Sequence, residues 1–364
     1  MTAQNSIQTK LYQLSPVFKD YEFLTQEFHP CAVDRADVDF IFDKLSKLPD
    51  TFKRLILNHA MKIAVRRELN LYILHTSEKI LSFLPEKLRL FLTVEEDEIR
   101  KLSNECAERC GRIALLHNLK SRGQSLSDKQ INEMVDIDSS NLEWLCEITI
   151  INPIEIFEIL SKEVESYGVA KLELKSEKIT ALGAVRRMCD KHWWTRKLRK
   201  IFNQSFEKSA IELGLVNKHK QIYASDLTVK KRRQQLYANE QMMSSMIVIN
   251  DVGQQFSLKE LSDLNVSNPK IRKAELMVRI RGFEDISKGL GHTGLFITIT
   301  CPSKYHSTFA KSGQRNPKYE GFTPYQGNQY LCSVWSRIRA EWNRQDIKPY
   351  GFRIAEPQHD GTPH

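Results

Sequence analysis

Apolar residues recur with a helical period along most of the first half of the chain. From about Val33 their spacing follows one face of an α-helix. A run after Pro49 is typical, because its apolar side chains fall on one side of a helix that Asp50 or Thr51 would cap. The run comprises Phe52, Leu55, Ile56, Ala60, Ile63 and Ala64. The pattern predicts a mostly helical N-terminal region.

Start and stop signals predict further helices in the middle of the chain. Ser225 or Asp226 is placed to cap one helix, and Ser257 with Glu260 three residues later has the spacing of a capping box. Another helix is predicted from Pro269 through Arg281, closed by Gly282.

The pattern changes after residue 290. Gly294–Thr300 (GLFITIT) and Tyr350–Glu356 are rich in β-branched and aromatic residues, which predicts two strands. Residues 311–328 are rich in Gly, Pro, Asn and Gln and predict a long loop. An amphipathic helix should follow the loop, with its apolar face formed by Leu331, Val334, Trp335, Ile338 and Trp342. The order of elements predicts an α+β protein whose first two-thirds are helical.

The last residues combine a turn signal with metal-binding side chains. Pro357 interrupts the second predicted strand, and Asp360–Gly361 predicts a tight hairpin turn, so that a new strand would begin near His364. The turn places Glu356, His359 and His364 near one sheet edge, where carboxylate and imidazole groups can bind a divalent cation. His359 could be a ligand or a neighbour of the ligands, but a turn histidine next to Asp360 is more often a solvated polar residue.

Composition excludes several classes of protein. Of the 364 residues, 41% are hydrophobic and 27% charged, as in an ordinary soluble protein. No apolar run approaches the roughly 18 residues that span a bilayer, and the N-terminus lacks a secretion signal. The seven cysteines are odd in number, scattered and often inside apolar helical patterns, which predicts reduced core residues of a cytosolic protein. Cys106 and Cys110 lie one helical turn apart, but a second metal-binding pair at zinc-finger spacing is absent, which disfavours a structural zinc site.

The positive charge is concentrated in one segment. Residues 186–235 contain fourteen Lys and Arg against four Asp and Glu, whereas the whole chain carries +9. Such a segment is typical of proteins that bind the phosphates of nucleic acid. The predicted DNA-binding cations are Lys230, Lys231, Arg232, Arg233, Arg196, Lys197, Arg199 and Lys200. Trp193 and Trp194 lie among them, either as core anchors or as rings that stack on unpaired bases.

Several segments resemble one family of proteins. Phe296–His306 (FITITCPSKYH) and Glu356–His364 (EPQHDGTPH) resemble the first two motifs of HUH-type replication endonucleases. More closely, residues 180–364 resemble the phage replication gene A protein family, whose members initiate rolling-circle DNA replication. The further matching segments, in chain order, are Cys189–Arg199, Tyr223–Gln235, Ser267–Phe283 and Asn316–Tyr319.

The resemblance implies an activity and a set of site residues. It implies nicking of one strand of a replication origin by a tyrosine, aided by Mg²⁺ or Mn²⁺, in the cytoplasm of a bacterial host. His364 and Glu356 would bind the metal, with His359 as a ligand or a neighbour of the ligands. The first-motif loop would comprise Thr298, Thr300, Pro302 and His306. The implied partners are origin DNA, single-stranded at the nick, and a host replicative helicase, and no membrane.

The chain departs from the family pattern in two places. The second motif of the family continues as His-hydrophobic-His, and only His364 is present here; the position of Gln358 is often a histidine. The nucleophilic tyrosines of the family follow the second motif, so that no tyrosine of this chain is predicted to be catalytic. Tyr305, Tyr319, Tyr325 and Tyr330 are instead expected to pack or to contact loops.

Together these features predict a C-terminally truncated replication initiator that is itself inactive as a nuclease. Its predicted parts are a helical region of residues 1–180, a basic helical DNA-binding region of residues 181–290 and an incomplete HUH nuclease domain of residues 291–364. One alternative is a non-catalytic DNA-binding remnant. A second alternative, an RNA-binding helical protein, would make the strand motifs coincidental.

Overall fold

A computed structural model describes residues 35–91, 95–121, 123, 150, 152–174 and 180–364 of the chain. The chain divides into two compact units, with unit 1 ending at Ser209 and unit 2 comprising Ala210–His364. The predicted boundaries at residues 180 and 290 fall inside these units. Within the described ranges, every helix is too short or too polar to cross a lipid bilayer.

Unit 1 is helical throughout its described part. A 3-10 helix, Glu86–Phe91, lies between α3 and α4. The helices are α1 (Arg35–Ser46), α2 (Asp50–Ala60), α3 (Arg66–Leu81), α4 (Glu96–Ser121), α5 (Pro153–Ser166), α6 (Ala181–Met188) and α7 (Lys191–Glu212), whose last residues lie in unit 2. The predicted helical N-terminal region is therefore confirmed for these residues.

The core of unit 1 forms from the apolar faces of these helices. On α2 the predicted face packs inward at Phe52, Ile56 and Ala60, and Phe52 stacks on Phe206 with ring centroids 4.8 Å apart. Ala64 is exposed because the helix ends at Ala60. Pro49 occupies the N-cap position, where Asp50 or Thr51 had been predicted; the fixed φ of proline suits this end of a helix, and Asp50 begins the helix itself.

The two adjacent tryptophans are core residues. Trp193 is 5% exposed and Trp194 is fully buried, and their rings meet edge to face at 5.3 Å. The indole N–H of Trp194 donates to the carbonyl oxygen of Met188 at 2.7 Å, which satisfies its only polar group. Of the two predicted roles, base stacking is therefore wrong, because neither ring face is open to a base.

The described cysteines of unit 1 also lie in its core. Cys106, Cys110 and Cys189 are free thiols in the core. Burial raises the pKa of Cys106 to about 12 and that of Cys189 to about 12, so that both remain protonated. A zinc site requires thiolates, and the described residues contain no group of three metal-binding side chains. The expectation of reduced core cysteines is confirmed for these three.

Unit 2 contains helices, one small sheet and long irregular segments. Its strands pair antiparallel through Val248 and Phe256, with Gly253 in the turn. A 3-10 helix, Ser303–Tyr305, lies in the first-motif segment. The other elements are α8 (Asp226–Ser245), β1 (Ile247–Ile249), β2 (Gln255–Ser257), α9 (Leu258–Leu264), α10 (Pro269–Leu290) and α11 (Pro324–Arg344).

Capping side chains define the helices of unit 2. Ser225 accepts a hydrogen bond from the amide of Thr228 at the start of α8. Ser257 with Glu260 and Thr323 with Gln326 form complete capping boxes at α9 and α11. The predicted starts at Ser225 and Ser257 are confirmed. By contrast, α8, α9 and α10 bury no residue, so local hydrogen bonds rather than a core hold their ends.

Three sequence predictions for unit 2 need correction. The helix that begins at Pro269 runs past Gly282 to Leu290 and ends at Gly291, whose φ of +67° provides the left-handed cap that Gly282 does not. The predicted strands Gly294–Thr300 and Tyr350–Glu356 form no ladder with any described residue. Strand propensity cannot supply the hydrogen-bonded neighbour that defines a strand. Last, α11 begins at Pro324, inside the predicted loop 311–328.

Candidate active site and nucleic-acid interface

The last nine residues fold into a tight hairpin. Glu356 and His364 exchange two backbone hydrogen bonds, of 3.1 and 3.0 Å, and Pro357 faces Pro363 across an antiparallel bridge. The amide of Gly361 donates to the carbonyl of Gln358 at 2.9 Å, and the φ of Gly361 is +80°, which glycine adopts without strain. The predicted turn at Asp360–Gly361 is confirmed, and the strand-like pairing does resume at His364.

Asp360 lies at the centre of the site. Its side chain is fully buried, and its carboxylate accepts hydrogen bonds from the amides of Ser307 and Thr362, both at 3.0 Å, and from Nδ1 of His306 at 3.2 Å. Burial alone would raise the pKa of Asp360, but the bonds from His306 and Thr362 outweigh it and lower the pKa below 3.8. The carboxylate therefore joins the turn of the second motif to the loop of the first.

His306 lies between two hydrogen-bond acceptors. Its Nδ1 faces the carboxylate of Asp360, and its Nε2 lies 3.2 Å from the carbonyl oxygen of Cys301. A neutral imidazole has one N–H, so both contacts are hydrogen bonds only when the ring is doubly protonated. The bond to Asp360 is the largest cause that raises the pKa of His306 above 6.5; burial opposes it. His306 thus fixes the first-motif loop rather than lying free in it.

A buried asparagine organises the same loop. Asn316 is 2% exposed, and its Nδ2 donates to the carbonyls of Ser303 and His306 at 2.8 and 2.9 Å. Thr362 donates from its hydroxyl to the carbonyl of Tyr305 at 3.0 Å, which adds a second tie to the hairpin. Because these groups satisfy backbone carbonyls, the irregular loop has a defined conformation.

The predicted metal ligands Glu356 and His364 lie next to each other. The distance from Oε2 of Glu356 to Nε2 of His364 is 3.8 Å, and Nδ1 of His364 is buried without a hydrogen-bond partner. A carboxylate and an imidazole are suitable donors for a divalent cation. They are two donors, and among the described residues no group of three comes together. The pair therefore fits part of a metal site.

His359 does not occupy the solvated position that is common for a turn residue. It is 7% exposed, and its Nε2 lies 3.0 Å from the carbonyl oxygen of Thr308. It is a third link between the two motif segments. Its predicted role, as a ligand or a neighbour of the ligands, stays a prediction.

The remaining first-motif residues lie outside this cluster. Thr298 and Thr300 are exposed in an irregular segment. Pro302 is exposed, and its carbonyl accepts from the amide of Tyr305 where the 3-10 helix begins. Of the four residues predicted for the first-motif loop, only His306 has hydrogen bonds to the hairpin.

Three of the four nearby tyrosines pack or bond to a loop as predicted, and Tyr325 does not. Tyr305 stacks on Phe322 at 4.4 Å and lies 5.1 Å from Tyr330. The hydroxyl of Tyr319 donates to the carbonyl of Phe322 at 2.8 Å. Burial, followed by the charge of Asp360, raises the pKa of Tyr319 and disfavours its phenolate. Tyr325 is 68% exposed.

The basic stretch of α8 is fully available to a ligand. Its four consecutive cations are exposed, none forms an ion pair with a described residue, and Arg232 bonds only to the neutral side chain of Gln235. They are Lys230, Lys231, Arg232 and Arg233. The helix buries no residue, so that its cations are not needed for packing.

The cations of α7 differ in their availability. Arg199 is bound to Glu96, with Nε 3.2 Å from Oε2, and is therefore already neutralised. Arg196 and Lys200 are exposed without an ion pair to any described residue, and Lys197 lies over the ring of Trp193 at 5.3 Å. Burial, and then Lys200 and Arg196, lowers the pKa of Lys197. Three of the four predicted cations thus form a cluster of uncompensated positive charge.

The hydrogen bonds of the site join segments that sequence reasoning had treated separately. Asp360 and Asn316 were missed as site residues, although each lies inside a segment that had been recognised. The Asp-Gly pair had been interpreted as a turn alone. The sequence signal for Asp360 is a short polar side chain that follows a predicted strand. This signal does not identify Ser307, 53 residues away, as the partner of Asp360.

Sequence comparisons identify the family of the chain. The chain belongs to a class of phage replication proteins. A family model described as "Bacteriophage replication gene A protein (GPA)" matches residues 93–364, which is most of the chain, so the chain belongs to that family. The resemblance seen in the sequence is confirmed. No solved structure matches the chain.

Three relatives illustrate the family. The chain is 44% identical over 181 residues to the replication gene A protein of Escherichia phage 186, which covers 50% of this chain and 26% of that protein. It is 32% identical over 343 residues to the probable replication protein P12 of Pseudoalteromonas phage PM2. That match covers 91% of this chain and 51% of the P12 protein. It is 33% identical over 182 residues to a probable replication endonuclease from a prophage-like region of Shigella boydii serotype 4. That match covers 50% of this chain and 22% of the endonuclease. These matches span at most about half the length of the relatives.

Proposed function

We propose that this chain acts in phage DNA replication as part of an endonuclease that nicks one strand of a replication origin. The proposal rests on one observation: the carboxylate of Asp360, in the second-motif hairpin, is hydrogen-bonded to Ser307 and His306 in the first-motif loop. Family membership and the names of its relatives, which include a probable replication endonuclease, support it.

In this proposal the Glu356–His364 pair contributes two ligands to a divalent cation, Mg²⁺ or Mn²⁺. The bound cation would neutralise the phosphate that is attacked. The backbone pairing of Glu356 with His364 holds the two donors side by side, which reduces the cost of ordering them when a cation binds. The hydrogen bonds of Asp360 keep the hairpin in place against the first-motif loop.

DNA is bound, in the proposal, by the uncompensated cations of α8 and α7. Positive charges on an exposed helix attract the phosphates of a strand, which releases counterions when the strand binds. The tyrosine nucleophile implied by the family is none of the four tyrosines near the site. Tyr305 and Tyr330 are stacked, Tyr319 is bonded through its hydroxyl, and the resemblance assigns no role to Tyr325.

Manganese binding tests the metal half of the proposal. Electron paramagnetic resonance of free Mn²⁺ is measured while the full chain is titrated, with Glu356→Gln and His364→Ala as variants. The bound fraction should fall in both. His219→Ala removes an exposed histidine elsewhere and serves as the matched control. Equal Mn²⁺ affinity in the wild type and in both site variants would exclude the pair as a metal site.

A nicking assay tests the assignment of the nucleophile. Supercoiled plasmid carrying the cognate origin is incubated with the chain and Mn²⁺, and a denaturing gel is examined for protein linked to a 5′ end. No adduct is expected from residues 1–364. If one forms, peptide mapping of the linked tyrosine would show which residue is catalytic and would overturn the assignment.

A non-catalytic DNA-binding role is the second candidate, and the exposed cations of α8 favour it independently of the hairpin. The two candidates differ in their metal requirement. A chain that binds DNA equally well with and without Mn²⁺, and whose Glu356→Gln variant binds Mn²⁺ and DNA as the wild type does, would support the non-catalytic role.

A further inference from the structure

Two loops of unit 2 carry a second group of cations, outside the helices considered above. One loop, 214–221, contains Lys218 and Lys220; the other, 307–318, contains Lys311, Arg315 and Lys318. All five are exposed, and none forms an ion pair with a described residue. Glu320, which follows the second loop, is paired with Lys304 at 3.6 Å.

The two loops pack directly against each other. The amide of Lys218 donates to the carbonyl of Ala310 at 2.8 Å. Gly214 and Gly313 both have φ near +70°, and a Cβ on Gly313 would lie 3.4 Å from the Cα of Gly214. The backbones therefore approach closely, and cations more than 90 residues apart in the sequence share one surface.

Two buried asparagines fix the turns that present these cations. Asn217 is 4% exposed, and its Oδ1 accepts from the amides of His219 and Lys220 at 2.9 and 3.0 Å. Asn316 accepts in the same way from the amide of Lys318 at 3.0 Å. The loops are thus ordered before any ligand arrives, which lowers the entropic cost of binding.

The surface adjoins the candidate active site and includes an exposed ring. Thr308 accepts from His359 and Ser307 donates to Asp360, so loop 307–318 is tied to the hairpin of the second motif. Phe309 lies at the start of the tip of this loop and is 46% exposed. Cations that track a backbone, combined with an aromatic ring, are the features that bind single-stranded nucleic acid.

We propose that Lys218, Lys220, Lys311, Arg315 and Phe309 form a surface that binds single-stranded DNA next to the Glu356–His364 pair. The cations contact phosphates, and Phe309 stacks on an unpaired base. The choice of DNA as the polymer rests on the proposed function. The surface is separate in sequence from the cations of α8, which bind phosphates of either single or double strands.

Fluorescence anisotropy of labelled DNA across a salt series tests the proposal. The probes are an oligothymidylate and a duplex, and the full chain is compared with three variants of equal charge change. The loop variant carries Lys218→Ala, Lys220→Ala, Lys311→Ala and Arg315→Ala. The helix variant carries Lys230→Ala, Lys231→Ala, Arg232→Ala and Arg233→Ala. The matched control removes four exposed lysines of unit 1 through Lys47→Ala, Lys62→Ala, Lys101→Ala and Lys120→Ala.

The loop variant should lose affinity for the oligothymidylate, and its slope of log affinity against log salt should flatten by about 3, since each phosphate contact on a single strand contributes about 0.7. The control should keep the wild-type slope. Phe309→Ala should weaken binding of the oligothymidylate by about tenfold and leave binding of an abasic oligonucleotide unchanged. Protection of the hairpin amides in the loop variant checks that its loops remain folded.

The possible outcomes separate this proposal from the one on which it rests. If the wild type and the loop variant bind the oligothymidylate with equal affinity and slope, the surface is excluded while DNA binding by α8 stands. If the wild type binds neither probe, the DNA-binding step of the proposed function fails together with the surface. If Phe309→Ala weakens the abasic probe as much as the normal one, base stacking by Phe309 is excluded.

Discussion

Replacing Asp360 with asparagine tests whether this buried carboxylate holds the two motif segments together. The substitution keeps the size and shape of the side chain but removes its charge. An asparagine can still accept the amide hydrogen bond of Thr362 through its oxygen. Its NH₂ group then faces the amide of Ser307, which is also a donor, so that this hydrogen bond and the charged pair with His306 are lost.

The magnitude follows from the burial of the pair. Asp360 is fully buried and His306 is 15% exposed at the side chain, so solvent screens their interaction little. Hydrogen bonds to a charged group contribute about 1.5–3 kcal/mol each. Removing one partner of a buried charged pair costs roughly 3–5 kcal/mol. Asp360→Asn should therefore destabilise the closed hairpin by about 3–5 kcal/mol, of which the lost pair with His306 is the larger share.

Native-state amide hydrogen exchange measures this effect locally. The peptide that covers residues 356–364 contains the amides of Gly361, Thr362 and His364, all hydrogen-bonded in the hairpin. A loss of 3 kcal/mol lowers protection by about a hundredfold. His306→Ala leaves the carboxylate two N–H donors but removes the partner of its buried charge, so it should give a loss of similar size, about 3–5 kcal/mol.

A matched substitution controls for the change of charge. Asp346→Asn alters an exposed pair, in which Asp346 and Lys348 lie 3.0 Å apart with side chains 86% and 82% exposed. Such pairs contribute about 0–1 kcal/mol, so protection of the hairpin should not change. If Asp360→Asn also left protection within about threefold of the wild type, a shift below 1 kcal/mol, the reasoning from the buried pair would be refuted.

Three further predictions concern pH, packing and thiol reactivity. Because the pKa of His306 is raised in the folded hairpin, its pair with Asp360 stabilises the hairpin fully below pH 6.5, and this stabilisation is lost as the pH rises through the folded-state pKa of His306. Because the pKa of Asp360 is lowered, the pair stabilises the hairpin above pH 3.8, and this stabilisation is lost on acidification. Protection of the hairpin, corrected for intrinsic exchange, should therefore be highest between pH 3.8 and 6.5. Gly168→Ala should lower the free energy of unfolding in urea by about 2–4 kcal/mol, because Gly168 has a φ of +76° and the new Cβ would lie 2.3 Å from Cγ of Pro85. Gly123→Ala, at a φ of +67° but in open space, should lower the free energy of unfolding by about 1 kcal/mol. Iodoacetamide mapped by mass spectrometry should label exposed Cys332 well before the buried thiols of α4, whose pKa values are raised.

Local signals predicted the local structure well. Ser225 and Ser257 cap helices as expected, and Asp360–Gly361 forms the expected turn, because each feature depends on hydrogen bonds between residues close in sequence. The same reasoning failed for Gly294–Thr300. Its composition favours a strand, but a strand also needs a partner, and propensity contains no information about one.

Long-range contacts explain what could not be predicted of the site. The bond between Asp360 and Ser307 joins residues 53 positions apart, and the contact of Lys218 with Ala310 joins two loops that share no motif. The positions of Trp193 and Trp194 were undecided for the same reason. Their helix offers both an inward and an outward face, and only the packing around Tyr167 decides between them.

The scarcity of buried apolar side chains in unit 2 has a calorimetric consequence. Its buried hydrophobic residues are Ala210, Val216 and Cys301, whereas the described part of unit 1 buries a core that includes Phe52, Phe157 and Trp194. The heat-capacity increment of unfolding comes mainly from apolar surface newly exposed to water. Unit 1 therefore supplies most of that increment and has a strongly curved stability curve. Unit 2, held by caps and buried polar ties, has a flatter curve, so that warming shifts the balance between the two units rather than weakening both alike.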